Sequence, residues 1–273
     1  MRFQLHAAVR THVGKIRDNN EDNFYLRGTV REDVARQEMD YACTTLDTRF
    51  LAAVADGMGG ETAGELASLL AVQALRPSTM DRAEDTARQS VTEANRAICD
   101  EIEKNGGRRM GSTLAALYID EGKILCCNIG DSRCYRLRGG RLESLSTDHN
   151  KAGRMVEMGV LTPEQAARHP SRHELTQHLG IFEEEMIIQP AFHGPEALQQ
   201  GDIFLLCSDG LTDMVSEADI TTCLSGDSSP EEKAEKLVSM ALAGGGKDNV
   251  TVLVVQAEGD KRSLLQRIFS LKG

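Results

Sequence analysis

Five short acidic motifs contain the residues best suited to chemistry in this sequence. Each places a carboxylate at or beside a turn, next to glycine or asparagine. The motifs are Arg17–Asp22, Asp56–Gly60, Gly130–Arg133, Ser208–Leu211 and Lys247–Asn249. Carboxylate oxygens are the ligands that Mg²⁺ and Mn²⁺ prefer in proteins. One Asp-Gly pair alone predicts only a turn, whereas five such motifs favour a site for divalent cations.

Short apolar segments that have the composition of β-strands adjoin four of these motifs. The predicted strands are Phe50–Ala55, Leu114–Ile119, Lys123–Ile129, Ile203–Cys207 and Val250–Gln256. Because the end of a strand places the next side chain at a sheet edge, the aspartates of these motifs could converge on one cleft. Crowded carboxylates repel one another unless cations neutralise them. Two ions about 4 Å apart could hold a bridging water and lower its pKa, which supplies a nucleophile near neutral pH.

Helical periodicity is visible outside these strands. Small and apolar side chains between Ala63 and Ala74 fall on one face of a helix, and residues 82–104 carry a longer, more polar pattern. The segment SPEE from Ser229 has the start signal of a helix, and TPEQ from Thr162 repeats it. Because strands cluster as neighbours and do not alternate strictly with helices, we expect an α+β fold of antiparallel sheets with layered helices.

Three segments are expected to lie outside this framework. Residues 28–49 are polar and poorly periodic, which predicts mainly a loop, and residues 151–180 are typical of a small helical insertion between strands. The segment 259–273 is basic and amphipathic. We expect it either to dock as a terminal helix or to bind a partner or a membrane surface. Its apolar residues are Leu264, Leu265, Ile268, Phe269 and Leu271.

Composition limits the classes of function. The formal net charge of −11 argues against a general nucleic-acid-binding protein, which usually has a basic face. The seven cysteines are odd in number and include no CxxC pair, which argues against a disulfide scaffold. The sequence begins without a signal-peptide pattern, and no apolar run approaches the roughly 20 residues of a membrane helix. We therefore expect a cytoplasmic protein with no transmembrane segment and no nucleic-acid partner.

Two other motifs suggest competing chemistry. Cys127–Arg133 has the C-x-x-G-x-x-R spacing of a cysteine-dependent phosphatase loop. Asp131 would place a negative charge inside its anion cradle, and the residues after Arg133 predict a hairpin instead of a helix that could bind phosphate. His173 and His178 resemble a zinc pair but are five residues apart, so on a regular helix they point about 140° apart.

In their order along the chain, the motifs resemble the PPM family of protein phosphatases, also called type 2C. The matching motifs begin at Arg17 (R-x-x-N-x-D), Asp56 (DGMGG), Met110 (MGST), Gly130 (GDSR), Thr147 (TDH), Ser208 (SDGL) and Asp248 (DNVT). They lie between Val13 and Val254, nearly the whole chain. The resemblance implies a four-layer α-β-β-α sandwich of two antiparallel sheets flanked by helices. It also implies that residues 151–180 form a small flap that gates substrates, and an inert surface excursion is the alternative for this segment.

The resemblance implies hydrolysis of phosphoserine and phosphothreonine in proteins, with two central Mn²⁺ or Mg²⁺ ions and a third, weaker ion. The implied catalytic core is Asp56, which would bridge the central ions, with Asp209 and Asp248, which would complete one of them. The carbonyl of Gly57 would help to hold the other ion. The remaining implied metal ligands are Glu21 and Asp22 beside the Gly57 ion, and Asp131, which shares the third ion with Asp209.

Two further roles follow from the resemblance. Arg17 would bind the substrate phosphate, and a surface ion pair is the alternative for this side chain. Animal members carry His after the Asp-Gly pair, where this sequence has Met58, as bacterial members do. The general acid is therefore open between a water on a metal ion and His149, for which a structural role is the alternative.

The domain organisation and partners complete these expectations. We expect a phosphatase domain over residues 1–258, with the flap at about 151–180 and the basic tail at 259–273. The implied partners are phosphorylated proteins and a cognate Ser/Thr kinase of bacterial type. The alternative is a non-catalytic, regulatory module that binds phosphoproteins through a degenerate site. The presence of Asp56, Asp209 and Asp248 argues against that alternative.

Overall fold

Two antiparallel sheets build the centre of the molecule. The computed structural model describes residues 3–59, 63–166 and 168–259, so the predicted tail lies outside the described residues except for Gly259. The strands found there are β1 (Phe3–His12), β2 (Asp22–Leu26), β3 (Glu38–Thr45), β4 (Arg49–Gly59), β5 (Met110–Ser112), β6 (Leu114–Asp120), β7 (Lys123–Ile129), β8 (Arg133–Arg138), β9 (Arg141–Ser144), β10 (Ala191–Ala197), β11 (Ile203–Cys207) and β12 (Val250–Gly259).

The strands form two sheets that have no strand in common. The first sheet runs β3-β1-β12-β11-β8-β9, and the second runs β10-β7-β6-β4-β2, with β5 paired to the end of β4. All of these neighbours are antiparallel. Hairpin turns explain part of this order, since Gly139 and Gly140 both have positive φ between β8 and β9.

Helices cover the outer face of each sheet. The helices are α1 (Ala63–Gln73), α2 (Ala83–Lys104), α3 (Lys151–Glu157), α4 (Pro163–Ala166), α5 (Asp209–Thr212), α6 (Glu217–Ser225) and α7 (Pro230–Ala243). One core cluster joins α1 and α2 to the second sheet, another fills the space between the sheets, and a third joins α6 and α7 to the first sheet. This arrangement confirms the expected α-β-β-α sandwich. Within the described residues, no helix is both long and apolar enough to cross a membrane.

Strand β4 shows why the central segments are almost continuously apolar. Its residues Ala52 and Val54 pack between the sheets, while Ala53 and Ala55 pack against the helices. A strand buried on both faces has no side that favours polar residues. Its alanines also leave room for α1, whose own Ala67 and Ala71 are fully buried against it.

The polar segment 28–49 differs from the expectation. It was predicted to be mainly a loop, but it contains the edge strand β3, which pairs with β1. Met39, Tyr41 and Cys43 pack against the inter-sheet core, and the residues between them face outwards. The prediction was wrong because an edge strand with one solvated face has too few apolar residues to produce a continuous apolar run.

The predicted flap lies between β9 and β10. It contains α3, α4 and a 3₁₀ turn at Pro170–His173, and Asn150 caps α3 by accepting from the Gly153 N–H. Its return path is anchored on α2, where the Asn95 side chain accepts from the Gly180 N–H at 2.7 Å and donates to the Ile181 carbonyl at 2.9 Å. The flap is therefore tied to the sandwich at its base.

The start of α7 generates a stability prediction. Ser229 and Glu232 form a reciprocal capping box, so replacing Ser229 by Ala leaves the Glu232 N–H without its side-chain acceptor. We expect Ser229→Ala to lower the free energy of unfolding by about 1 kcal/mol in a urea titration followed by circular dichroism. Ser239→Ala, at an exposed interior position of the same helix, should change it by less than about 0.5 kcal/mol. Equal losses in both variants would contradict the capping assignment.

Candidate active site

Two aspartates of the second sheet lie directly opposite each other. Asp22 begins β2 and pairs in register with Asp56 of β4. Opposed residues of an antiparallel pair project from the same face, and Phe24 and Val54, two positions further along, fill the space between the sheets. The two carboxylates therefore continue the inter-sheet layer at one end of the sandwich. Like charges placed this way are destabilising on their own.

The first sheet brings two more aspartates to the same end. Asp209 is two residues after β11 ends, and Asp248 is two residues before β12 begins. These strands are neighbours, with Cys207 opposite Val252. Gly210 allows the two loops to meet, because a Cβ atom there would lie 1.9 Å from the Asn249 carbonyl oxygen.

Asp131 joins the cluster from the end of β7. It follows Gly130, whose φ of +92° is a conformation that side chains rarely adopt. A Cβ atom on Gly130 would also lie 2.6 Å from the Thr113 side chain. Asp131 is 8% exposed and lies close enough to Asp209 for the charge of Asp209 to raise its pKa.

The cluster is electrostatically strained when no cation is bound. Burial raises the pKa of Asp22 to about 7 and that of Asp131 to about 8. Burial also raises the pKa of Asp56 well above its usual range, and the charges of Asp22, Asp209, Asp131 and Asp248 raise it further. Asp22 Oδ1 is buried and has no hydrogen-bond partner among the residues that the structure describes. These features fit a hard divalent cation, which would neutralise the carboxylates and give that oxygen a partner.

Glu21 and Gly57 lie on the side of the cluster next to α1. The Gly57 N–H donates to the Glu21 carbonyl at 3.2 Å. A Cβ atom on Gly57 would lie 2.0 Å from the Gly64 carbonyl oxygen, so glycine is required for α1 to approach. Burial raises the pKa of Glu21 to about 7, and the nearby carboxylate of Glu65 adds to the shift. This side of the site thus has two adjacent acidic groups in addition to the five aspartates.

Neutral side chains position the carboxylates, and sequence reasoning missed most of them. The Asp56 N–H donates to Thr113 Oγ1 at 2.9 Å, and Thr113 Oγ1 is 2.7 Å from Ser132 Oγ. Ser208 Oγ donates to Asp22 Oδ2 at 2.7 Å. The motifs MGST, GDSR and SDGL signalled these positions, but their hydroxyls were not assigned a role.

Asn249 has a similar structural role. Its side-chain oxygen accepts from the Glu21 N–H at 2.7 Å, and its amide donates to the carbonyls of Val13 and Asn19 at 2.8 and 2.9 Å. One side chain therefore ties the loop before β12 to the loop before β2. These bonds fix the position of Asp248 relative to Glu21.

Arg17 lies at the solvent side of the cluster. Its guanidinium donates to Asp248 Oδ2 at 2.7 Å, and its side chain is 52% exposed. The charges of Asp248, Glu21 and Asp56 all favour the protonated form, and the pKa of Arg17 is raised. Arg17 therefore forms an ion pair here, and its exposed position also leaves it within reach of an incoming anion.

The flap contributes residues that the sequence analysis did not assign to the site. His173 Nδ1 is 3.5 Å from Asp209 Oδ2, and its Nε2 is 3.5 Å from Asp213 Oδ2. Arg172 is 3.3 Å from the same Asp213 oxygen. The hydrogen bond to Asp209 raises the pKa of His173. These contacts form one wall of a cleft of about 340 Å³ that also reaches Asp131.

The competing motifs have structural roles. Cys127 is 1% exposed in the core beneath α2, and burial raises the pKa of its thiol. The Arg133 guanidinium donates to both carboxylate oxygens of Asp148, at 2.9 and 2.6 Å. This arrangement leaves no accessible thiolate facing an anion.

His149 also has a structural contact. Its Nδ1 accepts from the Gly130 N–H at 3.3 Å, and burial lowers the pKa of the imidazole. His149 lines a different cleft from the one at Asp131. The geometry favours the structural alternative for His149.

The sequence-predicted site residues are thus brought to one end of the sandwich. Asp22, Asp56, Asp131, Asp209 and Asp248 form the cluster, with Glu21 and Gly57 beside it and Arg17 at its rim. Residues of both sheets are needed, since neither sheet supplies more than three of the five aspartates.

Comparison with known proteins gives a consistent result. The chain is 34% identical to the serine/threonine phosphatase stp of Listeria welshimeri over 275 residues, which cover 96% of this chain and 98% of that protein. The structure resembles the serine/threonine phosphatase PstP/Ppp of Mycobacterium tuberculosis, with a TM-score of 0.76, 34% identity, and coverage of 94% of this chain and 100% of that one.

A further solved structure is informative about ligands. The catalytic domain of PstP in complex with two manganese ions matches with a TM-score of 0.75 and 32% identity, over 94% of this chain and 100% of that one. A family model described as protein phosphatase 2C matches residues 25–242. These residues include most of both sheets and three of the five acidic motifs in full. The chain belongs to the protein phosphatase 2C family.

Proposed function

We propose that this chain hydrolyses phosphoserine and phosphothreonine in proteins and that its activity depends on divalent cations. The observation that carries the proposal is the convergence of five aspartates from both sheets at one end of the sandwich. Relatives of similar length that match nearly the whole chain are named serine/threonine phosphatases, which supports the substrate class. The retained carboxylates argue against a binding module with a degenerate site.

Two central Mn²⁺ or Mg²⁺ ions are the proposed cofactors. Asp56 would contact both ions, with Asp209 and Asp248 on one side and Asp22, Glu21 and the Gly57 carbonyl on the other. Asp131 and Asp209 would hold a third ion. The manganese ions in the related PstP structure support this choice of metal. When bound, the ions would act as Lewis acids on phosphoryl oxygens and lower the pKa of water near them.

Arg17 is the proposed phosphate-binding residue. The transition state of phosphoryl transfer carries negative charge on its equatorial oxygens, which a guanidinium can bind in a bidentate manner. In the structure Arg17 pairs with Asp248, an acidic group that would also serve a cation. A cation on Asp248 would weaken that pair, so the guanidinium would become available to a phosphate.

We propose that the flap controls access to the cleft. His173 and Arg172 bring positive groups against Asp209 and Asp213, so the position of the flap would depend on the charge of the cluster. Binding of a cation to Asp209 would compete with His173 for the same carboxylate. The flap would therefore move more easily when the site is loaded, and its surface would select among protein substrates.

The cellular setting is also part of the proposal. All seven cysteines are free thiols, six of them buried, which supports a reducing compartment and therefore the cytoplasm. A phosphatase of this kind would act in signal transduction by reversing a cognate Ser/Thr kinase. Residues 1–258 would form the phosphatase domain, of which residues 151–180 are the flap.

The reaction class is tested with two phosphopeptides and a chelator. We expect the protein to release phosphate from a phosphothreonine peptide with Mn²⁺ and to lose this activity in excess EDTA, whereas a phosphotyrosine peptide should be hydrolysed poorly. Cys127→Ser is the control and should keep the manganese-dependent rate. Release that resists EDTA and is abolished by Cys127→Ser would overturn the proposal.

Asp56 provides a test of the link between charge repulsion and metal binding. At pH 8 we expect Asp56→Asn to raise the Tm of the metal-free protein by about 2 to 4 °C, because it removes one buried carboxylate from a repulsive cluster. The same variant should lose the increase in Tm on adding Mn²⁺ and about a thousandfold or more of the hydrolysis rate. Asp85→Asn, on the exposed face of α2, should retain both the manganese response and the rate. A wild-type manganese response in Asp56→Asn would contradict the assignment.

Arg17 is tested by steady-state kinetics. Loss of a charge-assisted hydrogen bond to phosphate should reduce kcat/KM by roughly 10- to 100-fold in Arg17→Gln. Most of the loss should be a higher KM if the guanidinium binds the ground-state phosphate. Lys15→Gln removes an exposed positive charge two residues away and should have little effect. Similar losses in both variants would indicate a general effect of charge and not a phosphate contact.

A further inference from the structure

One buried carboxylate beside the aspartate cluster has no part in the site described above. Glu65 lies in the first turn of α1 and is 5% exposed. Its Oε1 accepts from Asn19 Nδ2 at 2.9 Å, whereas its Oε2 is buried and has no hydrogen-bond partner among the described residues. Because a buried carboxylate oxygen without a donor is costly, this atom requires a partner that those residues do not supply.

Glu65 lies on the same side of the cluster as Glu21. Burial raises the pKa of Glu21, and the nearby charge of Glu65 raises it further. Gly64 allows α1 to come this close, because a Cβ atom there would lie 2.3 Å from Glu21 Oε1. The Gly64 carbonyl oxygen in turn lies 2.0 Å from where a Cβ atom of Gly57 would be. The start of α1 therefore packs directly against two of the proposed cation ligands, Glu21 and Gly57.

The nearest buried cationic side chain does not pair with Glu65. Arg31 is 1% exposed, and burial lowers its pKa, which the charges of Asp22 and Glu65 oppose. Its guanidinium donates to backbone carbonyl groups, those of Asn20, Asp22, Val34 and Arg36. Arg31 thus holds the loop after β2 in place, and Glu65 Oε2 stays without a donor from it.

We propose that Glu65 is a positioning residue for the cation beside Glu21, whose surrounding water would donate to the free Glu65 oxygen. The inference rests on the cation site proposed above and extends it to a residue outside the five acidic motifs. Groups that surround the direct ligands of a metal ion contribute strongly to its affinity. The competing explanation is structural: Glu65 would only hold the start of α1, through Asn19 and through the favourable position of an acid at a helix N-terminus.

Glu65→Gln separates the two roles, because glutamine keeps the shape and an oxygen acceptor for Asn19 but removes the charge. Electron paramagnetic resonance of free Mn²⁺ during a titration gives the number of bound ions and their affinities. At pH 8 we expect one ion to bind about 10- to 100-fold more weakly in this variant. The Tm of the metal-free protein should stay the same or rise, since a carboxylate beside Glu21 is removed. Glu235→Gln, on the exposed face of α7, should behave as wild type.

A purely structural role gives the opposite pattern. Glu65→Gln would then lower the Tm of the metal-free protein and leave the affinity for Mn²⁺ unchanged, and unchanged affinity would overturn the proposal. Weaker binding together with a lower metal-free Tm would indicate a general loosening of α1 and would also overturn it. A wild-type protein that binds no Mn²⁺ would refute the cation site itself, which distinguishes failure of the proposed function from failure of this inference.

A double variant tests whether Glu65 acts on the ion beside Glu21. Glu21→Gln removes a proposed ligand of that ion, so little affinity should be left for Glu65→Gln to remove. We expect the double variant to weaken Mn²⁺ binding by clearly less than the product of the two separate factors. A loss equal to that product would mean that Glu65 acts independently of Glu21, and the proposal would be wrong.

Discussion

The repulsion between Asp22 and Asp56 is the constraint on which the rest of the site depends. Antiparallel pairing places the two carboxylates opposite each other at the end of the buried inter-sheet layer, and Asp209, Asp131 and Asp248 approach from other loops. No arrangement of this kind is favourable without positive charge. The sandwich tolerates it because the apolar layers behind the cluster are extensive, and the cost is recovered when cations bind.

The sandwich holds this cluster through neutral groups and through glycines. Thr113, Ser208 and Asn249 bond to the backbone or carboxylates of the site, so the acidic side chains do not rely on one another for position. Gly57 and Gly210 lie where a Cβ atom would collide with a neighbouring loop. The same inter-sheet layer that ends in carboxylates at one end finishes at the other in a cleft whose lining includes Leu5, Ile119 and Leu198.

The sequence predicted correctly those features of the fold that depend on a short stretch of neighbouring residues. Apolar runs predicted β7 and β11 to the residue, the SPEE segment predicted the capping box of α7, and the strand-end aspartates were expected to converge, as they do. Strand β3 was missed because a solvated edge strand has a weak apolar signal. The contact of His173 with Asp209 was missed because residues 36 positions apart meet only through the path of the flap. The ligand roles of the carboxylates and the domain limits stay predictions.

Direct location of the cations tests the central claim most sharply. Crystals of the protein grown with Mn²⁺ and measured with X-rays near the manganese absorption edge would give an anomalous difference map of the bound ions. The account predicts two strong peaks on either side of Asp56, one contacting Asp209 and Asp248 and the other beside Asp22. A map without peaks at this cluster, from protein that hydrolyses a phosphothreonine peptide in the same solution, would contradict it.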